Sequence, residues 1–192
     1  MAEQEDNEAT NVDADGIQIQ SYTAMVLVVV PPTNFDEQTL RQARSSLYNV
    51  HVGTYSVSSE TEDMVTGRLQ DEFLADGALK DAKLEDYAGV VFVGGEGATA
   101  LADDPDAIRL AREAAAADKL IGAWGHSVAV LAKAGVIKGK KITGDPEIAD
   151  LVKQAGGKFT GRQIEQAGKI ATSQDAAVAL RFGKLLAQIV AI

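Results

Sequence analysis

Apolar positions in this chain fall into short unbroken runs, separated by stretches where they recur every three or four residues. The run from Ala24 through Met25-Val26-Leu27-Val28-Val29-Val30 is rich in β-branched residues, as expected of a strand buried on both faces in a parallel sheet. Pro31-Pro32 ends it. Asn34 then stands where a helix cap is expected, for a helix through about Leu47, with Asp36 and Glu37 in its first turn where the dipole favours acids. Asn49 to Tyr55 predicts a second strand, which includes His51. Ser56 to Tyr87 has no clean period and predicts a hairpin or excursion followed by a short helix near Leu84. Gly89 to Val93 is a third buried strand, followed at once by Gly94-Gly95-Glu96-Gly97.

Asp104-Pro105 marks a helix start, and Ala107 to Lys119 continues it. Leu120 to Leu131, LIGAWGHSVAVL, changes character in the middle: strand-like to Trp124, helical in spacing from His126 until Gly135. Strand and helix meet at Gly125-His126-Ser127, and a sharp turn of that kind sets one residue at the mouth of a sheet beside unpaired helix N–H groups. Further on, Lys141 to Thr143 predicts a short strand, and Asp145-Pro146 a helix running to about Ala155. Arg162 to Glu165 with Lys169 to Thr172 predict a hairpin. The chain closes on an amphipathic helix from about Asp175, apolar at Val178, Phe182, Leu185, Leu186, Ile189 and Val190. The alternation implies an α/β fold, a three-layer sandwich with a largely parallel central sheet flanked by helices.

Composition narrows the possible functions. With 192 residues, 46% of them hydrophobic, the chain can bury a sizeable core. Residues 1–20 are expected to form an acidic flexible tail, because Met1 to about Gly16 offers almost no large apolar side chain to offset the entropy of ordering. Residues 21–192 are expected to form a single domain. The net charge of −10 argues against nucleic acid and anionic membrane as partners. The apolar run Ala24 to Val30 is too short to span a bilayer, and a cytoplasmic location is expected. The sequence contains no cysteine, which excludes disulfides, thiolate metal sites and cysteine nucleophiles.

Three groups of residues are candidates for chemistry. Gly95-Glu96-Gly97-Ala98-Thr99-Ala100 matches the G-x-G-x-x-A form of a dinucleotide fingerprint, but it does not follow the first strand and no acid ends the next one. A glycine turn allowing close backbone approach explains it without a nucleotide. At Gly125-His126-Ser127, the serine falls two residues late for a G-x-S-x-G elbow, so its hydroxyl is expected to bond the local backbone. Asp36 and Glu37 are either solvent-facing acids at a helix start, or one of them lines a crevice shared with Gly94-Gly95 and His126, where a carboxylate beside a histidine makes an acid/base pair. Two histidines, His51 and His126, give no metal-ligand spacing. Neither a metal nor a cofactor is expected.

The succession Val90-Val91-Phe92-Val93-Gly94-Gly95, Asp104-Pro105, Leu120 to Ser127 and Leu131 to Thr143 resembles the ThiJ/PfpI superfamily, with Ala134 to Thr143 the most specific segment. The resemblance runs from about Ala24 to Ile192 and implies the flavodoxin-like, class I glutamine amidotransferase-like fold. In that family the elbow reads A-I-C-H-G. The resemblance sets its cysteine at Gly125, its histidine at His126 and its last glycine at Ser127. The family's loop glutamate, in an F-E-D-like motif, falls on Asp36 within Asn34-Phe35-Asp36-Glu37. Gly95 matches a glycine whose N–H helps form the oxyanion site, and a T-S-R-G-P-like segment survives as Thr172-Ser173-Gln174-Asp175 without its arginine.

Glycine has no side chain with which to attack a carbonyl, so the cysteine-dependent activities the resemblance implies are put in doubt. The leading expectation is a catalytically degenerate, stress-related binding or interaction module that self-associates as the family commonly does. Its pocket would take a small carbonyl or carboxylate ligand on Gly94, Gly95, His126 and Ser127. The alternative is a cysteine-independent hydrolase, hydratase or glyoxalase-like enzyme in which Asp36 or Glu37 orients His126. A third reading is a structural, stress-associated oligomer with the acidic tail as its docking or solubility element.

Overall fold

The computed structural model describes residues 21–59 and 64–191. The expected tail at 1–20 lies outside the described residues. In chain order the elements are β1 (Ala24–Val29), β2 (Thr33–Phe35), α1 (Glu37–Tyr48), β3 (Val52–Ser58), β4 (Met64–Gly67), β5 (Glu72–Leu74) and β6 (Gly77–Ala78). After them come β7 (Gly89–Phe92), α2 (Pro105–Ala116), β8 (Leu120–Trp124), α3 (Val128–Ala134), β9 (Lys141–Ile142) and α4 (Ala149–Gln154). β10 (Lys158–Phe159), β11 (Ile164–Ala167), β12 (Ile170–Ser173) and α5 (Ala179–Val190) complete the chain.

Seven strands form the central sheet in the order β11-β12-β8-β7-β1-β3-β6. Every neighbouring pair in it is parallel except β11 with β12. Alternate side chains along the strands enter two separate cores, as period-two geometry requires. Leu27, Val29, Val90, Phe92 and Ile121 pack with Leu110 of α2 and Leu131 of α3. Val26, Val28, Val91, Leu120 and Trp124 pack with Leu40 and Leu47 of α1 and Phe182 and Leu186 of α5. Helices on both faces are why the strands read as unbroken apolar runs. The fold is an α/β three-layer sandwich.

Several local expectations are corrected. The cap of α1 is Asp36, whose Oδ1 accepts from the Thr39 N–H at 3.0 Å. Asn34 lies instead in β2 at φ 49°, because the strip from Thr33 to Phe35 pairs with β4 and buries Phe35. The second strand starts at Val52 and runs to Ser58, since α1 continues to Tyr48 and is capped by Asn49. His51 therefore sits in the connecting turn at φ 57°, exposed, and not in a strand. The excursion after β3 contains the antiparallel β4–β5 pair, and 3₁₀ turns at Leu79–Asp81 and Leu84–Asp86 take the place of a short helix.

Candidate functional site

The central strands have their carboxyl ends on one side of the sheet, and the chain leaves β1 for β3 on one flank before crossing to β7 on the other. Such a reversal leaves a crevice between the segments that follow β1 and β7. A cleft of about 390 Å³ lies there, lined by Asn34 and Asp36 after β1, Gly95 and Glu96 after β7, Gly125 and His126 after β8, and Gln174 and Asp175 after β12. Arg68, Trp124 and Asp145 complete it.

Gly125 is at the apex of the strand-to-helix turn, in the left-handed region at φ +57°. A Cβ there would meet nothing closer than the Gln174 carbonyl oxygen at 3.6 Å and the Gly95 nitrogen at 3.9 Å. The elbow is thus formed, with room for a side chain that would approach a backbone N–H. Gly95 is required to be glycine, because at φ +111° its Cβ would lie 2.2 Å from the Asn34 carbonyl oxygen. Gly97 presses closer still on the Thr33 carbonyl. The G-x-G pattern therefore packs the turn against the strip after β1, as a close-approach turn does.

The remaining candidate residues divide by burial and partner. Gly94 does not line the cleft: its carbonyl accepts from the Asp36 N–H at 2.9 Å, and Trp124 packs where its Cβ would be. Ser127 is fully buried, its Oγ accepting from the Trp124 N–H at 3.1 Å and facing the Phe92 and Trp124 carbonyls at 2.8 and 2.9 Å. Those bonds turn the hydroxyl into the sheet and away from the cleft.

Asp36 and Glu37 are not the solvent-facing acids of an ordinary helix start; they are 5% and 2% exposed. Asp36 is the extended N-cap residue and Glu37 the first helical one, so their side chains leave the backbone in different directions. Asp36 lines the cleft, with Oδ2 3.9 Å from the Arg68 guanidinium. Glu37 turns into a separate cavity with Arg41, Arg44 and Phe73, where Oε1 accepts from the Leu69 N–H and anchors the β4–β5 excursion. Its Oε2 is buried without a partner.

Neither acid meets His126. Among the described residues, its Nε2 lies 3.2 Å from Glu147 Oε2 and 3.9 Å from Asp145 Oδ1. The expectation that Asp36 or Glu37 orients His126 is replaced by this trio. Sequence spacing missed it because Asp145-Pro146-Glu147 reads as a helix start, which it also is: Asp145 Oδ1 accepts from the Glu147 N–H at 2.8 Å. The segment is drawn to the elbow by the Asp145 N–H donating to the Gly125 carbonyl at 3.3 Å, and to β12 by the Thr143 N–H donating to Thr172 Oγ1 at 3.1 Å. Arg68 joins the cleft with no sequence signal beyond its position in a loop, whereas Glu96 belongs to the Gly95–Ala100 motif and Gln174 and Asp175 to the altered T-S-R-G-P-like segment.

The architecture and the site together define an α/β sandwich protein with a strand-to-helix elbow at the crevice of its sheet. Residues 24–189 match the DJ-1/PfpI family, and the chain belongs to that family. An uncharacterized protein of Methanocaldococcus jannaschii is 29% identical over 163 residues, 83% of this chain and 79% of that protein. The ThiJ/PfpI domain protein of Brachyspira murdochii superposes with a TM-score of 0.84 at 19% identity, covering 89% of this chain and 98% of that one. Drosophila melanogaster DJ-1beta gives 0.78 at 22% identity, covering 90% and 92%. No helix among the described residues is long and apolar enough to cross a membrane.

Proposed function

We propose that this DJ-1/PfpI protein uses the elbow cleft to bind a small molecule without nucleophilic chemistry at the elbow, Gly125 standing where the family's cysteine would be. The observation that carries this is the pairing of an elbow at φ +57°, open toward the Gly95 N–H, with a sequence that contains no cysteine. A neutral carbonyl compound suits the cleft better than a carboxylate. Asp36, Glu96, Asp145 and Asp175 outnumber Arg68 and His126 in the lining, and the Gly95 N–H remains as a donor for a carbonyl oxygen. A glyoxalase and hydrolase panel on this chain beside Gly125→Cys tests the reading. Turnover only in the variant is expected. Turnover by the natural chain refutes a purely binding role, and turnover by neither removes the idea that only the nucleophile is missing.

A second reading is supported by the 3.2 Å contact between His126 and Glu147. An imidazole held by a carboxylate at the rim of a cleft is a usable acid/base pair for hydration, hydrolysis or isomerisation of a small carbonyl compound. His126→Ala separates the readings, since it abolishes any turnover of the natural chain only if the histidine is the acid/base group. We also propose self-association. Met64, Leu69 and Leu74 on the β4–β5 excursion are large apolar side chains left 51%, 65% and 60% exposed. Light scattering on the full chain is expected to give a mass above 20.2 kDa, and a monomer would refute it.

A further inference from the structure

We propose that His126, Asp145 and Glu147 form a binding site for a divalent transition metal of the zinc type at the rim of the elbow cleft. The inference rests on the geometry of these three residues and is independent of the small-molecule reading. Each offers one ligand atom, and the three atoms lie within 4.8 Å of one another. One imidazole nitrogen and two carboxylate oxygens are a donor set suited to zinc and its first-row neighbours.

The distances fit that chemistry. Zinc bonds of about 2.0–2.1 Å to imidazole and about 2.0–2.2 Å to carboxylate, at tetrahedral angles, hold the two donor atoms roughly 3.4 Å apart. His126 Nε2 is 3.2 Å from Glu147 Oε2 and 3.9 Å from Asp145 Oδ1, so a small inward rotation of the aspartate closes the set.

Two of the ligands sit on a fixed backbone before any ion arrives. His126 belongs to the elbow turn, and the Asp145 main chain is tied to the elbow by its N–H bond to the Gly125 carbonyl, which leaves its carboxylate to exchange the Glu147 N–H for an ion. Glu147, with 82% of its side chain exposed, remains free to close over an ion entering from solvent. Asp36, Glu96 and Asp175 line the same cleft, so the surrounding field favours a cation. His126 and Asp145 line that cleft too, so the ion would border the space beside Gly125 and keep a position there for water or a ligand oxygen.

Calorimetric titration of zinc chloride into the full chain tests the proposal. One ion per chain is expected, with affinity falling by about 10-fold or more in both His126→Ala and Glu147→Gln and unchanged in Glu113→Gln, a carboxylate of α2 paired with Arg109 and outside the cleft lining. Magnesium chloride, which prefers six oxygen ligands, is expected to bind far more weakly. Circular dichroism of each variant separates lost ligation from lost folding. If His126→Ala does not fold, the exposed Glu147→Gln variant decides. No stoichiometric zinc binding, unchanged affinity in either ligand variant, or an equal loss in Glu113→Gln overturns the site.

Discussion

Two cavities in this molecule differ in a way opposite to their size. The larger, about 730 Å³, lies at the β3–β6 edge of the sheet and is lined entirely by residues between Tyr55 and Tyr87. The smaller, about 390 Å³, draws its walls from the ends of β1, β7, β8 and β12, segments far apart in the chain. The larger one is a by-product of an excursion folding back beside its own strand. The smaller is where the parallel topology makes loops converge, and convergence brings together groups that can act on one ligand. At Gly95 the cleft rests on backbone packed against backbone, whereas the edge cavity is walled by side chains such as Tyr55 and Tyr87, whose rings are 6.1 Å apart.

The comparison breaks most readily at Gly95. Gly95→Ala puts a Cβ against the Asn34 carbonyl, in a conformation that L-residues avoid, and is expected to cost about 3 kcal/mol or more in a urea melt. A cost below about 1 kcal/mol would mean the cleft floor is soft. Ser127→Ala is expected to cost about 2 kcal/mol, because the buried Trp124 N–H loses the oxygen it donates to. Gly125→Cys has only ordinary contacts to make, so left-handed strain alone is expected, about 1 kcal/mol by the same melt. The new thiol should react with a disulfide reagent if the cleft admits ligands.

At the edge cavity, Gly77→Ala meets the end of the Tyr55 ring, the hydroxyl at 2.8 Å, which can swing away. A cost under about 1 kcal/mol is expected, and a cost as large as that of Gly95→Ala would erase the distinction between the two cavities. The smallest effect concerns pH. Burial chiefly, then the nearby Tyr55, Asp86 and Asp76, hold the Tyr87 phenol above its ordinary value of 10.0. The folded state thus keeps this proton longer than the unfolded chain. The stability it contributes is complete below pH 10 and declines as pH rises through the higher folded value. Tyr87→Phe should flatten that alkaline slope in urea melts, and an unchanged slope would place the titration elsewhere.

How far sequence pattern reaches depends on what kind of interaction sets each feature. Buried strands, the Asp104-Pro105 start and the Gly135 stop were legible because each follows from a local rule of burial or backbone geometry. The cap lies at Asp36, two residues beyond Asn34, since the pairing of Thr33–Phe35 with β4 is a long-range contact with no local signature. Asp36 and Glu37 look equivalent as neighbours in sequence, and only the packing of the β4–β5 excursion sends one into the cleft and the other away from it. The spacing of two histidines hid a trio whose other two members are acids.

The sequence by itself determined the alternation of strands and helices, the family to which the chain belongs and the absence of a thiol at the elbow. Those are properties of residue type and local period. Only the tertiary structure decided which charged groups share the cleft, that His126 faces Glu147 and Asp145, and that Ser127 is tied into the sheet. Side-chain encounters across some twenty residues arise from how the strand ends converge, and no local preference encodes that convergence.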